Sequence, residues 1–343
     1  MAAQAPSRAP RPAVLANLNE SADGLLSAWL FRPDSPPVPL TLGQIHEALG
    51  RGDGVVWVHL NCAAAPAKQW LSSCHHLPEP IREALLETDP RTRLEPLGDA
   101  ILGVIGDTVA GADPDPWRLS TLHFYVSQRW LVSTRRRPIN CASKLGRAVR
   151  NGLSVQTTAE LMIWLLSYAS DSVSERAIEL ARDTDRAEDE VLAGHTALPR
   201  ARLGKARRRA AQLRRQVALR TRVIDRLRAR LPSWLEENDR FELLNALDRM
   251  ETLVDELQAI EQREAGLEAE VAARLSEETN RNLFILSVVT VIFLPMTLIT
   301  GIFGMNVAGL PGVEDPSAFW WVMLAMAVVP AVFLLAIRGR GRP

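Results

Sequence analysis

The sequence has too few cysteines, and places them too irregularly, for a disulfide framework. Only Cys62, Cys74 and Cys141 occur in 343 residues. Motifs of common enzymes are also missing, namely a glycine-rich phosphate loop, a nucleophile elbow and a helix with two zinc-binding histidines. Residues 1–14 are rich in Ala, Pro and Arg but lack the apolar core of a signal peptide, which predicts a disordered tail and a body that stays on the side of synthesis. These absences argue against an enzyme, and no cofactor is expected.

Charged residues are absent from two long runs near the C-terminus. The first run, Leu283 to Phe303, has 21 residues and the second, Phe319 to Ile337, has 19. As helices at about 1.5 Å per residue they extend roughly 31 and 28 Å, close to the thickness of a bilayer's hydrocarbon core. Trp320 and Trp321 stand where interfacial aromatic residues are typical. The sequence therefore predicts two transmembrane helices, with two buried core helices as the alternative.

Basic residues indicate the orientation of these spans. Arg281 precedes the first run and arginines at 338, 340 and 342 follow the second, whereas the connection at 304–318 has no basic residue and contains Glu314 and Asp315. Lys and Arg are enriched on the cytoplasmic side of membrane proteins. We therefore expect a multi-pass protein of the cytoplasmic (inner) membrane with both termini in the cytoplasm.

Residues 15–156 have the pattern of an α/β layered domain. Strands are predicted at 54–60, at 100–109 and as a hairpin at 122–132, with helices at 67–74 and 80–88 between them. From residue 157 the chain is predicted to be helical, first as an antiparallel pair at 157–232, whose helices end near Gly194 and Pro232. The remaining predicted segments are a stalk helix at 233–282, the first span at 283–303, an outer loop at 304–318, the second span at 319–337 and a basic tail at 338–343.

The stalk has an apolar seam that becomes acidic. Leu243, Leu247, Met250, Val254 and Leu257 step by four and three residues, and Glu261, Glu264 and Glu268 then occupy the stripe. Residues 234–281 contain fourteen acidic and five basic residues, a net charge of −9. The three glutamates predict a water-filled vestibule in which several stalks attract cations, and a solvated helix face is the alternative. The basic segment 200–230 is expected to pair with this stalk rather than with nucleic acid or anionic lipid.

One helical hairpin cannot enclose a polar passage in lipid, so several copies must assemble. On the first span, positions three and four residues apart form a stripe of hydroxyl and apolar side chains that is predicted to line a pore: Asn280, Leu283, Ser287, Thr290, Leu294, Thr297 and Gly301. Alternatively, the hydroxyls only bond to the preceding helical turn. Between residues 283 and 313 there is no Asp, Glu, His or Cys, so a dehydrated zinc ion would lack its usual ligands. Oxygen donors suit an ion that keeps its water, and Asn306 is predicted to present an amide oxygen to it.

Several segments resemble the CorA family of divalent-cation transporters. Gly304-Met305-Asn306 follows a span that contains Phe293-Leu294-Pro295-Met296-Thr297, and a second span with an Arg-rich tail comes after it. Further segments are similar to the ZntB-type zinc transporter branch: Val307-Ala308-Gly309-Leu310-Pro311-Gly312, Trp57-Val58-His59-Leu60-Asn61, Glu87-Thr88-Asp89-Pro90-Arg91, Glu95-Pro96-Leu97-Gly98-Asp99 and Ser133-Thr134-Arg135-Arg136-Arg137-Pro138. The resemblance extends over nearly the whole chain.

This resemblance implies an α+β membrane protein that forms a homopentamer, with a cytoplasmic α/β/α funnel domain, long stalk helices and two C-terminal transmembrane helices. It implies transport of zinc, or of cadmium, nickel or cobalt, with possible proton coupling. Gly304, Met305 and Asn306 match the selectivity loop. Glu314 and Asp315 are expected to attract cations to the outer mouth, with a solvated loop as the alternative. A CorA-type magnesium/cobalt channel and a membrane-anchored coiled-coil scaffold without transport are the alternatives. Cys74-His75-His76 is the one tight group of soft metal ligands, and His59 is expected to be a satisfied or surface histidine.

Overall fold

A computed structural model describes residues 23–111, 115, 117–194, 197–218, 227, 229–305 and 317–340. The chain divides into two compact units, Met1–Leu267 and Glu268–Pro343. Seven strands are described: β1 Leu25–Phe31, β2 Val38–Pro39, β3 Val55–Asn61, β4 Arg93–Leu97, β5 Ala100–Thr108, β6 Leu119–Val126 and β7 Trp130–Arg135. The described helices are α1 Leu42–Arg51, α2 Ala65–Ser73, α3 Glu79–Leu86, α4 Asn140–Arg150, α5 Thr158–Leu192, α6 Ala197–Val217, α7 Glu237–Phe303 and α8 Ala318–Arg340.

The strands form one sheet in the order β2-β1-β3-β7-β6-β5-β4. Only the β3–β7 pair is parallel among the described strands, and Trp57 lies opposite Leu131 in it. Strand β3 is buried along almost its whole length, because both of its faces are covered. Its continuous apolar run, Val55 to Leu60, is typical of such a central strand.

Helices cover both faces of the sheet. On one face, Val56, Val58 and Leu60 pack with α1, α2 and α3 through residues such as Ile45 and Leu71. On the other face, Trp57, Phe124 and Leu131 pack with α4, α5 and the first turns of α7. The predicted α/β layered domain is therefore confirmed as a helix–sheet–helix sandwich.

The apolar seam predicted on the stalk is covered within the chain. Leu243, Leu247 and Met250 of α7 belong to the core that includes the sheet, and Leu257 packs with α5 and α6. All four side chains are at most 4% exposed. The partners of these seam residues are therefore helices and strands of the same chain.

The long helices agree with the predicted pattern, with one difference. Helix α5 begins at Thr158, where the Thr157 hydroxyl accepts the amide N–H of Glu160 at 3.2 Å and caps the first turn. Helix α7 runs for 67 residues and includes Pro295. Helix α6 ends at Val217 rather than near residue 231, and much of the segment that follows lies outside the described residues.

Gly103 in β5 gives space to the ring of Phe124 in the neighbouring strand. A Cβ atom at position 103 would lie 2.2 Å from the Phe124 Cζ atom. We expect Gly103→Ala to lower the free energy of unfolding by about 1–3 kcal/mol, because a fully buried ring must leave its position. The matched control is Gly43→Ala in α1, where an added Cβ meets nothing within 4 Å. Denaturant unfolding should show no loss of unfolding free energy in Gly43→Ala. Equal losses of unfolding free energy in both variants would contradict the steric explanation.

The N-terminus of α4 is capped from a distant strand. Helix α4 has no side-chain cap on its own preceding residue, Ile139, and the Asp107 carboxylate accepts the Cys141 amide N–H at 2.5 Å. The same carboxylate accepts the Thr108 amide N–H at 2.6 Å. Asp107 is fully buried, and this burial raises its pKa from 3.8 to about 6 against the opposing effect of these hydrogen bonds and of nearby Lys144.

The raised pKa of Asp107 predicts a stability change in mild acid. In the unfolded chain the carboxyl loses its proton near pH 4, but in the folded chain ionisation is delayed to about pH 6. The contribution to stability is therefore complete below pH 4 and is lost as the pH rises through 6, by about 3 kcal/mol. Between pH 4 and 6, the free energy of unfolding should fall less steeply with rising pH in Asp107→Asn than in the wild type. Identical slopes in the wild type and in Asp107→Asn would contradict the assignment.

Candidate ion-permeation site

The apolar part of α7 is uncovered. Among the described helices, α7 is the one that is long and apolar enough to cross a membrane, and none of its most apolar stretch is buried by the rest of the chain. Helix α8 contains a shorter apolar stretch, Phe319–Val332, with Trp320 and Trp321 exposed near its start. The second span, predicted at 319–337, stays a prediction, since part of it has side chains outside the described set.

The predicted stripe lies on the exposed surface of α7. All seven of its positions are exposed, and the exposed fractions of Leu283 and Leu294 are 55% and 66%. The seven positions are Asn280, Leu283, Ser287, Thr290, Leu294, Thr297 and Gly301. Because successive members are three or four residues apart, they follow one side of the helix. This surface is free for partners other than the chain's own residues.

Each hydroxyl of the stripe donates its proton to the backbone of the preceding turn. Ser287 bonds to the Leu283 carbonyl at 2.8 Å, Thr290 to Leu286 at 2.9 Å and Thr297 to Phe293 at 2.8 Å. A hydroxyl has one proton and two lone pairs, so a hydroxyl that has given its proton to a carbonyl presents only acceptors outward. Backbone bonding and a role toward cations are thus compatible, because metal-bound water donates hydrogen bonds.

Gly304 follows the last residue of α7, and its lack of a side chain allows a close contact with the backbone of the preceding turn. Its N–H bonds to the Thr300 carbonyl at 2.9 Å, and a Cβ at position 304 would lie 2.9 Å from the same oxygen. Gly304 is not among the described glycines with positive φ. Met305 follows with 49% of its surface exposed. Asn306, Glu314 and Asp315 lie outside the described residues.

Two of the three seam glutamates face their own chain rather than a vestibule. Glu264 is fully buried, and one carboxylate oxygen accepts the Thr184 hydroxyl of α5 at 2.9 Å. Glu261 is mostly buried and pairs with the guanidinium of Arg214 in α6 at 2.9 Å. The cation-attracting role predicted for Glu264 is wrong because the residue is not in contact with solution, and Arg214 offsets the charge of Glu261. Glu268 is half-buried, and its role stays a prediction.

The basic helix pairs with acidic residues of two neighbouring helices. Arg214 contacts Glu261 of α7, and Arg202 contacts Glu190 of α5 at 2.7 Å. Arg209 lies over the ring of Trp117, 4.5 Å from its centroid. The predicted pairing with the stalk is therefore present, although it is shared with α5 and an aromatic ring.

The group of soft ligands at residues 74–76 is split by the fold. Cys74 is fully buried, and burial raises the pKa of its thiol, whereas His75 and His76 are exposed. Within the described residues, no group of three or more His, Cys, Asp or Glu side chains is arranged to hold a metal ion. His59 is buried and bonded to the Ser133 hydroxyl at 2.9 Å, and burial lowers its pKa to about 3. It is the satisfied histidine that the sequence predicts.

Two features of the surface are not predicted from the sequence. A polar groove of about 530 Å³ lies between α5 and α7, and Asp171, Asp248, Arg249 and Glu256 are among its lining residues. His46 of α1 stacks on His76 with ring centroids 5.3 Å apart. Both features join residues that are at least 30 positions apart, so no local spacing could have revealed them.

Comparison with known proteins gives consistent matches over most of the chain. Residues 52–338 match the family described as CorA-like Mg²⁺ transporter protein. The divalent cation transporter CmaX of Pseudomonas aeruginosa is 29% identical over 276 residues, which are 80% of this chain and 83% of that protein. The zinc transport protein ZntB of Pectobacterium carotovorum is 26% identical over 273 residues, again 80% of this chain and 83% of that protein.

A solved structure shares the fold of the chain. The structure of full-length CmaX matches with a TM-score of 0.79 and 27% identity, and the match covers 92% of this chain and 97% of that one. The similarity thus includes the α/β domain and the long helix together.

Proposed function

Because the chain belongs to the family of CorA-like Mg²⁺ transporter proteins, a family of ion transporters rather than enzymes, we propose that it carries divalent metal cations, zinc foremost, across the cytoplasmic membrane. The cation would pass between copies of α7 along the stripe from Asn280 to Gly301. Asn306 would select the ion at the outer end through its water shell.

The observation that carries this proposal is the state of the stripe hydroxyls. Ser287, Thr290 and Thr297 all give their protons to backbone carbonyls, so their outward lone pairs can accept hydrogen bonds from metal-bound water. Rings of such acceptors, separated by leucines, suit a cation that dehydrates reluctantly. A helix that only anchors a protein in lipid has no need of acceptors along one side.

The passage requires several copies of the chain, and we propose a homopentamer embedded in the lipid bilayer. The uncovered surface of α7 supports assembly, because polar groups on a membrane helix must be shielded from lipid. The seam that a self-associating scaffold would use is instead filled by residues of the same chain, such as those around Leu247. This occupied seam favours transport over a coiled-coil scaffold.

Zinc is the first candidate cargo and magnesium the second. Relatives of this chain include a zinc transport protein and a divalent cation transporter, whereas the family description names Mg²⁺. Where CorA members have a Met-Pro-Glu-Leu type loop, this chain has Ala308-Gly309-Leu310-Pro311, which weakens the case for magnesium. Cobalt, nickel and cadmium have hydrated ions that the same oxygen acceptors could bind.

A competition assay in proteoliposomes tests the choice of ion. Uptake of zinc is measured alone and with an excess of magnesium, cobalt, nickel or cadmium outside, with and without a proton gradient. We expect magnesium to compete less well than the transition metals and a gradient to change the zinc rate. Faster uptake of magnesium than of zinc would instead support the assignment as a magnesium/cobalt channel.

A further inference from the structure

Two histidines that are distant in the sequence meet on the surface of the α/β domain. His46 lies in the middle of α1, and His76 lies in the turn between α2 and α3. Their rings are stacked with centroids 5.3 Å apart and an interplanar angle of 29°. On its other side His46 lies 5.6 Å from the ring of Trp70. Both histidines are exposed at the surface.

We propose that His46 and His76 form a two-nitrogen binding site for a divalent transition-metal ion, separate from the permeation stripe. Two nitrogens bound to one zinc ion at about 2.0–2.1 Å can be at most about 4 Å apart. With ring centroids 5.3 Å apart, the two side chains must turn until one nitrogen of each ring points at the ion. The site is outside the membrane span and does not depend on the transport proposal.

The surroundings define what kind of site this is. Cys74 is near in sequence but is buried in the core with Leu71 and Leu77, so its thiol is not part of the site. Glu47, beside His46, is paired with Arg51. With two protein ligands the ion keeps water at its other positions and exchanges readily, unlike structural zinc, which has four protein ligands.

The ligand type determines which ions bind. Imidazole suits zinc, copper and nickel, whereas magnesium prefers oxygen ligands and gives up its water reluctantly. Affinity for imidazole sites rises from cobalt through nickel to copper and is lower again for zinc. The site therefore distinguishes transition metals from magnesium, and Cu²⁺ is the most sensitive probe for it.

The test uses the full chain in detergent with one equivalent of Cu²⁺. Pulsed electron paramagnetic resonance counts the imidazoles bound to the ion, and we expect two. His46→Gln and His76→Gln should each leave one and weaken binding by about tenfold or more. His75→Gln is the matched control and should keep two. Of the remaining histidines, His59 and His123 are buried. His195 lies outside the described residues, so every protein in this experiment carries His195→Gln as background.

Competition gives a second, independent readout. Because Zn²⁺ binds such sites more weakly than Cu²⁺, Zn²⁺ in large excess should displace Cu²⁺ from the wild-type site, and Mg²⁺ at the same excess should not. The proposal is overturned if His46→Gln and His76→Gln keep the two-imidazole signal, if His75→Gln loses it, or if Mg²⁺ displaces Cu²⁺ as well as Zn²⁺ does. Thermal unfolding of each variant separates loss of a ligand from loss of the fold.

Discussion

Proteoliposomes that contain the triple variant Ser287→Ala, Thr290→Val and Thr297→Val are expected to take up zinc no faster than protein-free liposomes. Each hydroxyl is an outward acceptor whose own proton is held by the backbone. A hydrogen bond to a charged group contributes about 1.5–3 kcal/mol, so losing even two of them along the passage slows the ion about a hundredfold or more. Valine replaces threonine at nearly the same volume, so the loss concerns polarity rather than size.

Thr300→Val is the matched control for this variant. The Thr300 hydroxyl also bonds to a backbone carbonyl, that of Met296 at 3.0 Å, but position 300 is not part of the stripe. Zinc uptake by Thr300→Val should stay near the wild-type rate. If the control loses as much activity as the triple variant, general weakening of the helix explains the result and the stripe has no special role.

Asn306→Ala is expected to abolish selective zinc uptake while the assembled protein remains intact. The amide oxygen of Asn306 is the proposed acceptor for metal-bound water at the outer end, and a ring of copies would lose it together. Asn306→Gln keeps the amide on a longer side chain and should retain part of the selectivity. Uptake of zinc against magnesium is measured for each variant.

The control for Asn306→Ala is its assembly state. Size-exclusion chromatography and chemical cross-linking should give the same oligomer as the wild type. An assembled variant with unchanged zinc flux and unchanged preference over magnesium would remove Asn306 from the selection mechanism. A variant that fails to assemble would move its role from ion selection to oligomer contacts.

Much of the fold could be predicted because its signals are local. The apolar run of β3, the hairpin of β6 and β7 and the long course of α7, which has no proline before Pro295, all depend on neighbouring residues. Helix α4 is different, because its cap comes from Asp107, which lies more than 30 residues upstream. Strand β4 contains Pro96 and two charged residues, so its pattern does not resemble a strand.

The candidate site shows the same limit. Heptad spacing on α7 correctly indicates that Leu243 and Leu247 are buried, but it does not say which surface covers them. The acidic continuation of that stripe was therefore assigned to a vestibule, while Thr184 and Arg214 are the partners of Glu264 and Glu261. The stripe on the apolar part of α7 is exposed, and its role in lining a pore stays a prediction.

The most direct test of the central claim is the initial rate of zinc entry into liposomes that contain the purified full-length chain and a trapped zinc indicator. Transport through the α7 stripe predicts a rate that rises in proportion to the amount of protein, saturates with zinc concentration and is lost in the triple hydroxyl variant. Entry at the rate of protein-free liposomes, under every ion and proton gradient tried, would contradict the account.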